Sequence, residues 1–403
     1  MKFILVFLLI LLTAKGFSQG ENNRTNMTAG ALMIDSSKNN FQNTQHNSNW
    51  KSFKRKIRNL KSDLSETVII DHTGDSHIQG GYFTNRVRTL LNSEYGVSSR
   101  GFVFPYSLVN TNGPEDVRFI FSKQWTGQKY SFKPGEEKTG ISGYTLWMNN
   151  SNADLNGYLR QGSDTLYPFN EIIVYHNNQT LQISSKPEAE KIVLSNKDNL
   201  YSTRLTYPSF LDTIRIHITT SDSTNKRPAV YGMELLNNKH GIVYHALGAN
   251  GSTYESYSRA IDYLPIMKLQ HPDCVIISLG TNDAFMKYVD TVQLKNRILS
   301  MIEGIKKILP DACIILTTPG DHLRDKKFPN PNLLKVRSAI IACALEKNCV
   351  YWDFFEVMGG LYASKKWQKN GLMYKDVIHL SKEGYKLQGE LFFEAFRKAI
   401  KEN

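Results

Sequence analysis

Val68-Ile69-Ile70-Asp71-His72-Thr73-Gly74-Asp75-Ser76-His77-Ile78-Gln79 is the stretch that decides how this chain folds. An apolar run with two isoleucines reads as a buried strand, and it stops at Gly74 and the small polar residues that follow. Phe83, Val87, Leu90 and Leu91 then recur at spacings of four and three, which is one apolar face of a helix. Ser76 therefore stands between the end of a strand and the start of a helix. In an open parallel α/β sheet ligands bind at such places, because the free amides of a helix N-terminus favour negative charge. A serine there serves equally well as a helix N-cap, and the rest of the chain has to decide between the two roles.

The chain has 403 residues, more than a single core usually organises, and 41% of them are hydrophobic. Residues 3–12 are apolar behind Lys2, and small and polar residues follow through Ser18. That pattern resembles a secretory signal, too short to span a bilayer, so 1–18 are expected to be cleaved and the protein exported. No cysteine lies near the cut, which leaves a lipid anchor unsupported. The formal net charge is +12, but no nucleic-acid motif accompanies it; an anionic polymer outside the cytoplasm is the better match. Cys274, Cys313, Cys343 and Cys349 lack metal-ligand spacing and read as buried thiols, with a Cys343–Cys349 bridge left open.

Residues 19–49 are polar and aperiodic and read as a disordered leader. Trp50, Phe53, Ile57, Leu60 and Leu64 mark an amphipathic helix with a basic outer face, expected to pack on the domain that starts at Val68 rather than on a membrane. Within 116–238 the β-rich runs 171–176, 180–184, 191–194, 202–207, 213–219 and 230–236 alternate with turn residues and predict an all-β sandwich or jelly roll. From residue 239 short apolar runs return at 242–247, 274–279, 313–318 and 349–353, separated by helical patterns and closed by a helix that Ser381 caps. With 68–71 as first strand, these make a three-layer α/β domain around a five-stranded parallel sheet. It would be built from 50–115 and 239–403, and 116–238 would be an insertion.

Four ends of those strands carry unusual residues: Gly74-Asp75-Ser76-His77, Gly248-Ala249-Asn250-Gly251-Ser252, Gly280-Thr281-Asn282-Asp283 and Asp376-Val377-Ile378-His379. All lie on the carboxyl edge of one sheet, where side chains distant in sequence converge. Together they resemble the four blocks of the SGNH, or GDSL, hydrolase superfamily, with Ser, Gly, Asn and His in that order and Asp three residues before the His. The resemblance covers 68–111 and 240–390 and implies a flavodoxin-like three-layer fold. It assigns Ser76 as nucleophile, His379 as general base and Asp376 as the group that orients the imidazole. It also assigns the backbone amides of Ser76 and Gly251 and the side-chain amide of Asn282 to an oxyanion hole, with Gly248 as the competing glycine. No G-x-S-x-G occurs. Asp71, His72, Asp75 and His77 could be read as a metal cluster, but the further histidine blocks of a metallophosphoesterase are missing, so neither metal nor cofactor is expected.

Within the superfamily, Gly74-Asp75-Ser76-His77-Ile78, the Arg100-Gly101-Phe102-Val103-Phe104-Pro105-Tyr106 run, the β-rich insertion and Thr317-Thr318-Pro319-Gly320 resemble the peptidoglycan O-acetylesterase branch. Those are exported bacterial enzymes, periplasmic or secreted, that deacetylate the C6 hydroxyl of N-acetylmuramic acid and carry an inserted carbohydrate-binding-module-like domain. The resemblance implies a polysaccharide partner, no nucleic acid and no stable membrane span. Trp125, Tyr130, Tyr144, Trp147 and Tyr158 could stack on sugar rings, although core packing is the first reading of each. Loops 321–332 and 359–375 should rim the site, with Trp367 and Tyr374 as substrate contacts. The alternatives are an esterase or O-acetyltransferase acting on another polysaccharide such as xylan, or a glycan-binding protein with a vestigial hydrolase domain.

Overall fold

The computed structural model describes residues 34–63, 66–129, 139–160, 167–195, 200–221, 227–260 and 262–402. The signal expected at 1–18, the first part of the leader and Tyr130 lie outside them.

The apolar runs become strands Thr67–Gly74, Gly241–Gly248, Cys274–Ser278, Cys313–Thr317 and Val350–Trp352, all parallel. Counted along the chain they lie side by side in the order 2-1-3-4-5, so the direction of winding reverses between Thr67–Gly74 and Cys274–Ser278. A crevice opens at such a reversal, beyond the carboxyl ends of the strands. Alternation of side chains gives the sheet two buried faces. Ile70, Tyr244, Ile276, Ile315 and Trp352 meet helices Ser48–Asn59, Tyr82–Tyr95 and Lys382–Lys401. Val275, Ile277, Ile314 and Leu316 meet Tyr263–Gln270, Thr291–Ile308 and Leu333–Glu346. Ser381 caps the last helix by accepting from the Gly384 N–H at 3.1 Å.

Two expectations are corrected here. The sheet has six strands, because Phe41–Gln42 adds an antiparallel edge against Trp352 and Tyr351. Residues 34–49, expected in a disordered leader, are folded onto the molecule. Phe41 packs between Trp50 and Phe392, and Asn39 accepts from the Trp352 indole at 3.0 Å and donates to Leu391 O at 3.0 Å. A polar composition hides this, since one buried phenylalanine and one buried amide suffice to dock a short extended segment.

Between the first and second parallel strands the chain forms two antiparallel sheets. One runs Glu190–Ser195, Tyr201–Leu211, Phe169–His176, Ala229–Leu236, Tyr144–Met148, Trp125–Lys129, and Gly101–Val103 also pairs with Ala229–Leu236. The other runs Val117–Phe119, Asn152–Leu159, Thr213–Thr219, Gln182–Ser185. Inward residues of both, such as Ile172, Val174, Leu155 and Ile216, belong to one hydrophobic cluster that continues into Leu247, Val275 and Ile277 of the parallel sheet. Arg100 and Asp116 form a buried ion pair where the two parts of the chain meet. All four cysteines are buried free thiols. Among the described residues no helix is long and apolar enough to cross a membrane.

Candidate active site

Ser76 opens the short helix Ser76–Gln79, but it is not its cap. That role belongs to Asp75, whose carboxylate accepts from the His77 N–H at 3.0 Å. The Ser76 hydroxyl is thereby released from backbone duty, and its Oγ lies 2.9 Å from His379 Nε2. His379 Nδ1 lies 2.7 Å from Asp376 Oδ2, while Asp376 Oδ1 accepts from the N–H groups of Ile378 and His379 at 2.9 and 3.0 Å. Burial pushes the Asp376 carboxyl upward, but the bond from the His379 ring and the two backbone N–H groups outweigh it and hold the pKa below its ordinary value. The loop carrying this pair is closed by Tyr374 N–H donating to His379 O at 2.9 Å, beside a Met373–Leu380 bridge. His77 stacks on the His379 ring with centroids 5.1 Å apart, and its Nδ1 lies 2.9 Å from the Tyr385 hydroxyl. Burial, and after it the neighbouring His379, keeps His77 neutral.

Gly251 and Asn282 arrive from the two flanking strand ends. Ser76, Gly251, Asn282 and His379 are all only half-buried, hence within reach of a solute. Among the described residues no backbone carbonyl takes the N–H of Ser76 or of Gly251. The choice between Gly248 and Gly251 follows from packing. A Cβ on Gly248 would come within 2.2 Å of Gln79 N, so Gly248 is needed for close contact with the helix that begins at Ser76. Gly251 has φ +70°, and such a Cβ there would touch only Lys129 Nζ, at an ordinary contact distance of 3.7 Å. Asn282 already has partners in this structure. Its amide donates to Asp75 Oδ2 at 3.1 Å and to Ser252 O at 3.0 Å, so contact with an oxyanion requires it to give up or share one of these bonds.

Trp367, expected at the substrate, is a core residue. It is 1% exposed, its indole donates to Met358 O at 3.0 Å, and its ring stands edge-on to Phe354. Tyr374 is 47% exposed, two residues before Asp376, and stays available to a ligand. Trp125, Tyr144 and Trp147 are buried, whereas Tyr158 is exposed. Arg324, on the rim loop, donates to the carbonyls of Phe285 and Met286 at 2.9 and 3.0 Å and so pins the segment after Asn282. The residues of the metal reading are dispersed. Asp71 lies 3.1 Å from the His245 ring, and His72 spans Tyr244 Oη and Ser278 Oγ at 2.5 and 2.6 Å. Among the described residues no three His, Cys, Asp or Glu side chains are grouped to hold a metal ion.

Asp75, which in the sequence is legible only as a candidate metal ligand, is the cap of the helix that Ser76 opens. It is 1% exposed, and burial raises its pKa to about 6 against the bonds from His77 and Asn282. Its adjacency to Ser76 was visible; its bond to Asn282, 207 residues away, was not.

The profile of the GDSL-like lipase/acylhydrolase family matches residues 216–387, a span that holds Gly251, Asn282, Asp376 and His379 but not Ser76. Among solved structures, a peptidoglycan O-acetylesterase superposes with a TM-score of 0.70 at 20% identity, over 86% of this chain and 95% of its own. A lipase/acylhydrolase from Enterococcus faecalis is 21% identical over 40% of this chain and 77% of its own, with a TM-score of 0.33. An acetyl xylan esterase is 19% identical over 38% of this chain and 81% of its own, with a TM-score of 0.32. No curated protein matches the chain by sequence.

Proposed function

We propose that the chain, whose residues 216–387 match the GDSL-like lipase/acylhydrolase family and whose fold is shared with a peptidoglycan O-acetylesterase, is an exported serine esterase of the SGNH superfamily. It removes O-acetyl groups from a glycan, and peptidoglycan, acetylated on the C6 hydroxyl of N-acetylmuramic acid, is the first choice. The observation that carries this reading is the hydrogen-bonded line from Ser76 Oγ through His379 to Asp376, at the open edge of the sheet.

Ser76 Oγ attacks the acetyl carbonyl while His379 Nε2 takes its proton. Asp376 holds Nδ1–H in place and stabilises the imidazolium. The oxyanion is met by the N–H groups of Ser76 and Gly251, joined by the Asn282 amide once it releases a present partner. The bond between the acetyl carbon and the sugar oxygen then breaks, His379 gives that oxygen the proton so that the sugar leaves as its free hydroxyl, and an acetyl-enzyme remains. Water, deprotonated by His379, then attacks the acetyl carbonyl; the bond from that carbon to Ser76 Oγ breaks, His379 returns the proton to Oγ, and acetate is released. Peptidoglycan is supported by the shared architecture with the O-acetylesterase, whose length this chain covers almost wholly. The inserted sheets would contribute to holding the polymer.

The test is acetate release from O-acetylated peptidoglycan compared with acetylated xylan. Ser76→Ala and His379→Ala are each expected to lower turnover by about 10³-fold or more, with circular dichroism unchanged. Turnover that survives both substitutions would reject the mechanism, and a preference for xylan would reject the substrate.

A further inference from the structure

The turn that bears Gly251 is gripped from the inserted sheets. Strands Trp125–Lys129 and Tyr144–Met148 form an antiparallel pair in which Lys129 and Tyr144 are direct register partners. One hairpin thus delivers both side chains to the same place. The Tyr144 hydroxyl donates to Gln79 Oε1 at 3.0 Å, and that oxygen also accepts the Asn250 N–H at 2.6 Å. Gln79 Nε2 is itself anchored on Asn112 O at 2.6 Å, and the Asn250 side chain on Asn112 Oδ1 at 2.8 Å. The Lys129 ammonium donates to Asn250 O.

That last contact matters because Asn250 C=O and Gly251 N–H are the two ends of one rigid peptide plane. Holding the carbonyl fixes where the N–H points. A cation on the carbonyl also polarises the plane and makes the N–H a stronger donor, since linked hydrogen bonds reinforce one another. The Asn250 N–H on Gln79 fixes the preceding plane, so the turn is constrained on both sides of Asn250.

We propose that Lys129 and Tyr144, supplied by the inserted β segment, are positioning residues for the oxyanion hole. Lys129 acts through the Asn250–Gly251 peptide, and Tyr144 acts through Gln79. The inserted segment is then part of the catalytic apparatus as well as a surface for the polymer. The inference rests on the esterase reading above and deepens it. Donors of this kind act by being in place before charge develops, and a small misplacement is expressed in the chemical step rather than in binding. Both side chains can be altered with little change in shape. Lys129→Met keeps the stem, and Tyr144→Phe keeps the ring, which packs on Phe104 and Tyr106 at centroid distances of 5.5 Å.

The experiment measures kcat and KM for 4-nitrophenyl acetate on the full chain, together with inhibition by a trifluoromethyl ketone that forms a tetrahedral oxyanion adduct. Lys129→Met should lower kcat about tenfold and weaken the ketone by a similar factor while KM stays within twofold; Lys129→Arg should recover most of the loss. Tyr144→Phe should show the same split at about threefold and carries the test if Lys129→Met does not fold. An active wild type whose two variants keep kcat, or lose only KM, overturns this inference and leaves the esterase reading standing. A wild type inactive on the aryl acetate overturns both.

Discussion

Asp75 is a buried carboxyl serving two donors, and its neutral form is favoured by its surroundings more than in the unfolded chain. Its folded pKa of about 6 lies above the ordinary 3.8, so the stability it contributes is full below the lower value and lost as pH rises through the higher one. Asp75→Asn removes that loss. The variant's stability relative to wild type, from urea denaturation, should therefore climb between pH 4 and pH 7, by as much as about 3 kcal/mol. A flat difference would show that the carboxyl is not desolvated. The two glycines of the second block make a sharper pair. Gly248→Ala drives a methyl into the backbone of Gln79 and should leave little folded protein, whereas Gly251→Ala meets only Lys129 Nζ at an ordinary contact distance and should fold. Its cost is the strain of φ +70° on an alanine, about 1 kcal/mol, read as a lower melting temperature together with a lower kcat. At this scale the sequence was informative where chemistry is local, as in Asp376 and His379 three residues apart. It was silent on the positioning roles of Gln79, Lys129 and Tyr144, which consist of partners supplied by remote segments.

Strands and helices were legible where burial imposes a period. The five parallel strands announce themselves as short β-branched runs because both of their faces are covered, and the 2-1-3-4-5 order follows the resemblance drawn from their ends. The six β-rich runs expected between 171 and 236 all overlap strands, the 180–184 run only from Gln182, while Val117–Phe119, Trp125–Lys129, Tyr144–Met148 and Asn152–Leu159 escaped. Tyr144–Met148 is buried along its whole length, so it shows no alternation to recognise. The same limit misplaced Trp367. A tryptophan among lysines in a loop-like stretch reads as an exposed contact, yet Ala363–Lys369 is a short helix whose apolar side lies on Phe354 and Met358. Trp367→Ala should therefore cost about 3–5 kcal/mol of stability in denaturant titration while KM for acetylated glycan stays within a factor of two. A raised KM with unchanged stability would return the residue to the substrate.

The whole chain behaves as its cores allow, and here a core crosses the boundary that composition draws. Reading the change of pattern near residue 116 suggests a module hung on a hydrolase, because alternation reveals the kind of sheet but not what its inner face meets. Yet Ile172, Val174, Leu155 and Ile216 share a continuous hydrophobic cluster with Leu247, Val275 and Ile277. Gly101–Val103, ahead of the insertion, completes one of its sheets, and the Arg100–Asp116 pair is buried at the junction. Opening that junction alone would expose apolar surface on both sides, at about 25 cal/mol for each Å² of it. Partial unfolding is thus penalised relative to global unfolding, and cooperativity follows. Hydrogen exchange followed by mass spectrometry in increasing urea should find peptides from 139–160 and 167–195 losing protection at the same midpoint as peptides from 267–279 and 313–317. An earlier midpoint for the first set would make the inserted sheets an independent unit. It would also deprive Lys129 and Tyr144 of the rigid support on which their hold over the Asn250–Gly251 peptide depends.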